Sequence, residues 1–365
     1  MNGLGSGAPW VTLDCDEALA ASLARDAGIP QALGRLLVNR GVATSDEAGR
    51  FLSPSLDNLH DPELLPDLEV GVNRVVQAIQ AGEMVYVYGD YDVDGVTSAA
   101  LLVRTLRALN VRVSYRLPRR REGYDIKPSH VAEAAKLGAR VIITCDCGIG
   151  AHDAAAAARK HGIDLIVTDH HVPGPELPAA VAVVNPKRAD GAYPFPDLAG
   201  VGVALKFAQV LVRKLGHDDR AFLEKFLDLV ALGTVGDVVP LLDENRALVR
   251  FGLDALPGSK KMGLQALLER SGLAGKRLTA HSLGYVLGPR INAVGRMDDA
   301  ALALNLLLTK DRAEAGTLAG EMERCNSERR AEQERILEEA TEQAESKDLD
   351  ANRVLVLVGD GWNAG

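Results

Sequence analysis

Two periodicities divide the chain. From residue 1 to about 75, apolar positions recur at helical spacing between polar turns, as in QALGRLLVNRGV and SDEAGRFL, and predict a helical N-terminal segment. The Pro-, Asp- and Leu-rich stretch LSPSLDNLHDPELLPDLEV reads as an irregular wrap over a larger body. From Met84, short β-branched runs alternate with alanine-rich helical runs: MVYVY, TSAALLVRTLRAL, VRVSY, PSHVAEAAKLG, RVIIT, AHDAAAAARKHG, DLIVT and AVAVVN. That alternation predicts an α/β fold, a parallel sheet flanked by helices, whose ligands bind outside the carboxyl ends of the strands. After Pro194 the pattern turns mostly helical. Residues 311–347 read as a charge-dense helix with few apolar positions, as expected of a long connecting helix between domains. RVLVLVGDGWNAG then begins a strand. The expected organisation is a helical segment at 1–75, an α/β domain at 76–310, the connecting helix at 311–347 and the start of a second domain at 348–365.

Composition narrows the class. The chain has 365 residues, 47% hydrophobic and 25% charged, enough for two cores. It has no run of about 18 apolar residues that could span a bilayer, and the N-terminus lacks the basic and apolar regions of a signal peptide. Four cysteines (Cys15, Cys145, Cys147 and Cys325) imply no disulfide framework, so a reducing cytoplasm is the expected location. A net charge of −9 argues against broad adhesion to nucleic acid or acidic membrane, while leaving room for a local basic groove.

The chemistry gathers at predicted strand ends. GDYDVDG places Asp90, Asp92 and Asp94 after MVYVY, with Gly95 turning the chain into a helix. It resembles a calcium loop in its acids, but a strand precedes it, and Leu101 stands where calcium needs a bidentate Glu. Three converging carboxylates repel one another unless a cation holds them. A lone acidic turn is usually just solvated, but the pattern recurs. TCDCGIG puts Asp146 after an apolar strand, and TDHH puts Asp169, His170 and His171 after the next. In a parallel sheet these ends face one crevice. Carboxylate and imidazole donors suit Mn²⁺ or Mg²⁺, and the lack of thiolate ligands argues against structural zinc; Cys145 and Cys147 read as packing residues.

Taken together, GDYDVDG, TCDCGIG, TDHH and the later ALGTVGDVVPL resemble the four motifs of the DHH phosphoesterases, in order. LHDPELLPDL, RLPRRREGYD, LAGVGVALK and GPRINAVGRM extend the resemblance over essentially the whole chain, towards the family's bacterial single-strand-specific 5′ exonucleases. The resemblance implies a catalytic core that cleaves phosphodiesters with two divalent ions, Mn²⁺ or Mg²⁺. It assigns one metal each to Asp92 and Asp94, a bridging role to Asp146, one ion to His170 and the other to Asp237. Asp90 is a further ligand or lies just behind them. His171 would contact the scissile phosphate or assist the leaving oxygen, with Asp169 orienting a histidine. Two departures stand out: Asn363 where a histidine is expected and Asp125 where glycine is usual.

For the substrate, Arg116, Arg119, Arg120 and Arg121 with Tyr124 offer cations for phosphates and a flat face for unpaired bases. GPRINAVGRM adds Arg290, expected on a backbone phosphate, and Asn292; Arg296 reads equally as a turn residue paired to a carboxylate. The leading expectation is a metal-dependent 5′→3′ exonuclease on single-stranded DNA, acting in repair and recombination. It would be a monomer with no membrane association, and a single-strand-binding protein and a helicase are the expected partners. The alternative enzyme acts on short oligonucleotides or cyclic dinucleotides. A non-catalytic binding module predicts lost ligands, and every expected acid and histidine is present.

Overall fold

The computed structural model describes residues 11–296, 300–347 and 354–362. Helices α1 (Glu17–Asp26), α2 (Gln31–Val38) and α3 (Ser45–Leu52) form a small cluster around Leu23, Leu37, Val42 and Ala48. Thr44 and Glu47 make a reciprocal capping box that fixes where α3 starts. Two 3₁₀ turns, Leu56–Asn58 and Pro62–Leu64, carry the wrap to α4 (Leu68–Ala81). Residue 75 falls inside α4, which packs on β5 and α8.

The alternating region folds as β1 (Met84–Gly89), α5 (Val93–Ala108), β2 (Val113–Arg116), α6 (Pro128–Leu137), β3 (Ala139–Cys145), α7 (His152–Lys160), β4 (Asp164–Thr168) and β5 (Ala182–Val184). All strand pairs are parallel, in the order β2-β1-β3-β4-β5. The period of two sorts β1: Val85 and Val87 face the core shared with α4, α5 and α8, while Tyr86 and Tyr88 face Val131, Ala134, Ala154 and Ala158 on α6 and α7. Both faces are covered, so β3 reads as a continuous apolar run. Burying Ile142 on one face and Ile143 on the other contributes about 1.5–3 kcal/mol each. From β1 the chain moves outward to β2, then returns on the opposite side of β1 as β3. The crevice between their carboxyl ends is the switch point where such sheets bind ligands.

The helical half comprises α8 (Gly200–Lys214), α9 (Asp219–Gly236), α10 (Asp243–Ala255), α11 (Met262–Arg270), α12 (Gly288–Arg296), α13 (Ala300–Leu308) and α14 (Arg312–Glu345). A π-helical stretch, Ser282–Leu287, leads into α12. The first half of α14 buries Ala315, Ala319, Met322 and Cys325 against α11, α12 and α13. Farther along, Arg324 pairs with Glu321 and Glu328, and Arg335 with Glu332 and Glu339, the i,i+3 and i,i+4 pairs that support a helix in water. The strand expected from RVLVLVG does not form within the described residues 354–359. Val354, Val356 and Val358 are exposed, and the Val358 main chain pairs with the Gln343 side chain rather than with a sheet edge. A strand exists only where a ladder partner satisfies its amides. Residues 348–353 and Asn363 lie outside the described residues, as do the side chains of Arg121 and Arg296.

Candidate metal centre

Each acid is held by the backbone that follows its strand. Asp92 ends the β1 loop as the N-cap of α5, its Oδ1 accepting the Gly95 N–H at 3.0 Å. Asp94, fully buried in the first turn of α5, accepts the Gly200 and Val201 amides of the α8 N-terminus, both at 2.7 Å. A helix N-terminus is electropositive, so α8 steadies this carboxylate. Asp146 follows β3 with φ 61°, the left-handed conformation that turns its carboxylate under α8. A Cβ on Gly200 would stand 2.7 Å from Asp146 Oδ1, and one on Gly233 would stand 2.9 Å from Asp94 Oδ1, so glycine at both positions leaves the acids their room. Asp237 is the C-cap of α9, followed by Val238 at φ 63°, an unusual conformation for a β-branched residue.

After β4, Asp169 organises both histidines. Its Oδ1 accepts the His170 N–H at 2.7 Å, the His171 N–H at 3.1 Å and His171 Nδ1 at 2.8 Å, while Oδ2 accepts the Ile149 N–H at 2.9 Å. His170 Nε2 lies 3.1 Å from Asp146 Oδ1, 3.5 Å from Asp237 Oδ2 and 3.9 Å from Asp94 Oδ2. None of these is a hydrogen bond: His170 Nε2, His170 Nδ1, Asp146 Oδ1 and Asp90 Oδ1 are all buried without a hydrogen-bond partner. Buried polar atoms left this way are costly unless something else satisfies them.

Electrostatics point the same way. Burial, then repulsion from Asp92, pushes the Asp90 carboxyl up to about 7; the same two causes lift Asp237 to about 6. Asp94 and Asp146 are raised well above the carboxylate range, by burial and then by neighbouring acids. Burial and the charge of His171 hold His170 down to about 4, leaving it a neutral imidazole at pH 7. Burial alone would raise Asp169, but the bonds from His171 and the amides outweigh it and leave that carboxyl below its ordinary value. In return, Asp169 raises His171.

Donor atoms within 4.8 Å of one another form three triads: Asp90–Asp92–Asp146, Asp94–His170–Asp237 and Asp146–His170–His171. The first two divide the acids into adjacent groups, and Asp146 stands 3.1 Å from His170 of the second, where it can be shared. His170 and Asp237 fall in one triad, whereas the motif resemblance placed them on different ions. The donor set is carboxylate and imidazole. Burial keeps the nearby Cys145 and Cys147 thiols raised and protonated, so the residues fit hard divalent cations such as Mn²⁺ or Mg²⁺.

Around this cluster the proposed substrate residues separate. The Tyr124 hydroxyl donates to the Asp146 carbonyl at 3.0 Å and stands 2.9 Å from His171 Nδ1; its ring meets His171 edge-on, so part of the residue is engaged in orienting the histidine. Arg116 is paired to Glu122 and Glu133. Arg119 is exposed, and Arg120 lies 5.9 Å over the Tyr91 ring beside the acid loop. Arg290 is buried and doubly bonded to Glu323 of α14 at 2.6 and 3.1 Å, a pairing that does not offer it to a phosphate. Asn292, on the same helix, has a buried Oδ1 without a partner. Sequence reasoning passed over Lys187, whose charge lowers both His170 and Asp237, and the Gly200–Val201 amides. It also passed over Asn245, whose amide donates to the Asp197 and Pro240 carbonyls and ties the Asp237 loop to the entry of α8.

Fold and site define a class: a parallel α/β sheet with a carboxylate–histidine cluster at its switch point whose donors could hold divalent ions. The profile of the DHH family, N-terminal domain, matches residues 84–234. The single-stranded-DNA-specific exonuclease RecJ of Bacillus subtilis is 38% identical over 363 residues, 99% of this chain and 45% of that protein, so the chain spans about half the length of this relative. Among solved structures, RecJ from Thermus thermophilus in complex with Mn²⁺ superposes with a TM-score of 0.77 at 32% identity, over 90% of this chain and 47% of that one. A structure of exonuclease RecJ bound to manganese gives 0.72 at 36% identity, over 79% of this chain and 72% of that one. The chain belongs to the DHH family, on its RecJ branch.

Proposed function

We propose that the chain is the nuclease core of a metal-dependent 5′→3′ exonuclease that hydrolyses phosphodiester bonds of single-stranded DNA in repair and recombination. The observation that carries this reading is the pair of adjacent donor groups at the switch point, with Asp146 of one 3.1 Å from His170 of the other and buried donor atoms left without hydrogen-bond partners, in a fold similar to manganese-bound RecJ. Asp90, Asp92 and Asp146 would hold one Mn²⁺ or Mg²⁺ ion; Asp94, His170 and Asp237 would hold the other, with Asp146 between them. Bound ions would supply an activated water and charge neutralisation at the attacked phosphate.

The chain's own residues do the rest. Asp169 fixes His171 through Nδ1, and the Tyr124 hydroxyl donates its proton elsewhere, to the Asp146 carbonyl, so Nε2 is the nitrogen left for the cleft. With its pKa raised and its side chain 43% exposed, His171 can hold a proton at the phosphate or the departing 3′ oxygen. Arg120 and Lys187 supply positive charge beside the acids, and exposed Arg119 is proposed to extend it along the strand's path. The segment at 1–75, the connecting helix at 311–347 and a second domain beginning at 348–365 are proposed to flank this core. The protein is proposed to act as a cytoplasmic monomer, recruited through a single-strand-binding protein or a helicase; among the described residues no helix is long and apolar enough to cross a membrane.

A digestion series tests the reading. With Mn²⁺, a long 5′-phosphorylated single strand should be degraded to mononucleotides faster than a dinucleotide, and Asp146→Ala should abolish the reaction. A strong preference for the dinucleotide would shift the assignment to small substrates, and unchanged hydrolysis by Asp146→Ala would remove the shared-ligand role.

A further inference from the structure

A second concave site lies away from the metal centre. Between α5, α9 and the connection from α10 to α11 is a cavity of about 550 Å³, within the range of small-ligand pockets. Arg104 reaches it from α5, ten residues beyond Asp94 and hence about 15 Å along the helix from the acids. Lys225, Lys260 and Lys261 complete a set of four cations, against the two carboxylates Glu224 and Asp228, in a chain whose net charge is −9.

Both carboxylates are already engaged. Lys261 Nζ donates to both Asp228 oxygens, at 2.7 and 2.8 Å, and the Ser259 hydroxyl adds a third bond at 2.7 Å. Glu224 pairs with Arg220, outside the cavity, at 3.0 Å. Arg104, Lys225 and Lys260 are left with no carboxylate within 4 Å among the described residues. Arg104 donates to the Leu307 carbonyl at 2.8 Å through Nη1 alone, and Lys225 rests 5.7 Å over the Phe226 ring. A guanidinium taken partly out of water with no carboxylate in contact is unfavourable: burial lowers the Arg104 pKa, and the more distant charge of Asp228, itself held by Lys261 and Ser259, offsets this only in part. Lys261 is also the N-cap residue of α11, whose macrodipole adds positive potential to the same wall.

We propose that this cavity binds a phosphate-bearing anion, either inorganic phosphate or the 5′-phosphate of a nucleoside monophosphate. Three cations with free donors on three separate elements suit the three oxygens of a phosphate monoester, and the volume admits a nucleoside behind it.

Isothermal titration calorimetry on the whole chain in chelator, with inorganic phosphate and separately with dAMP, tests the proposal. One saturable site is expected. Lys225→Gln/Lys260→Gln, both at exposed positions, should weaken it about tenfold or more, as should Arg104→Gln. Asp146→Asn should leave it intact. Equal affinity for the two probes would identify a site reading the phosphate alone, and tighter dAMP binding a nucleotide site. Absence of saturation with either probe would overturn the proposal, as would affinity unchanged by the lysine pair and by Arg104→Gln, or lost with Asp146→Asn. Binding of a twelve-nucleotide oligothymidylate that the lysine pair abolishes, with neither small probe bound, would also overturn it in favour of a strand-binding surface.

Discussion

At the residue scale, the space around each acid matters as much as its charge. An alanine Cβ at Gly200 would lie 2.7 Å from Asp146 Oδ1 and 2.9 Å from its Cβ and Cγ, so the carboxylate must move. Gly200→Ala should therefore weaken Mn²⁺ binding and activity together, with a stability cost of about 1–3 kcal/mol from overpacking. Gly202→Ala is the control: its Cβ would meet the Leu198 side chain at 2.6 Å, so calorimetry should show near-normal Mn²⁺ affinity despite lost stability. Asp169 acts at one remove. Asp169→Asn weakens the hydrogen bond that raises His171 and removes the charge behind it, and turnover should fall by about 10²–10⁴ while Mn²⁺ affinity stays within a few-fold. The limb of the pH–rate profile that reports His171 should also move to lower pH. A profile that keeps its shape would reduce Asp169 to a packing role.

At the element scale, strand ends were legible in the sequence and long-range docking was not. The runs MVYVY, RVIIT and DLIVT are apolar on both faces because helices cover both, and Asp90, Asp146 and Asp169 come immediately after the strands β1, β3 and β4 that these runs form. That pattern is local, so it can be read locally. The amides that hold Asp94 come from Gly200 and Val201, more than a hundred residues away, and nothing in LAGVGVALK announces that its helix N-terminus will meet a carboxylate. Arg290 was misleading for a related reason: its partner, Glu323, lies on a helix whose packing the local pattern does not specify. Lys206 shows how such docking is enforced. Its fully buried ammonium donates to Glu244 of α10 at 2.5 Å and to the His60 carbonyl of the wrap at 2.6 Å, while Tyr193 donates to the other Glu244 oxygen. Glu244→Ala strands that charge and should cost about 3–5 kcal/mol in urea denaturation. Lys206→Met with Glu244→Leu should recover most of the loss, since the pair specifies position more than it stabilises. Recovery of less than half would mean that the ion pair is itself a main source of stability.

At the scale of the whole molecule, the fold holds together a charge cluster that opposes it. Without a cation, Asp90 has a folded value near 7 and Asp94 and Asp146 are also raised, so the native state binds these protons more tightly than the unfolded chain. Stability from a raised carboxyl is lost as pH climbs from the unfolded value through the folded one. His171, raised above 6.5, acts with the same sign: its contribution is present below 6.5 and lost above it. His170 has the opposite sign, but its depressed value confines that effect to pH 4–6.5. Between pH 6.5 and 8 these shifts therefore all act in one direction, and the melting temperature in chelator should fall across that window. A divalent ion reverses the preference, because it binds the deprotonated carboxylates and competes with their protons. At a fixed Mn²⁺ concentration a hundred times the dissociation constant measured at pH 6.5, stabilisation should be about 2.7 kcal/mol at that pH and should grow towards pH 8 as affinity rises. Differential scanning calorimetry at matched ionic strength measures both slopes. A melting temperature that rises with pH in chelator, or a Mn²⁺ increment independent of pH, would mean that these acids are not what the metal neutralises. In that case the energetic case for two ions at the switch point would fail, even with the geometry unchanged.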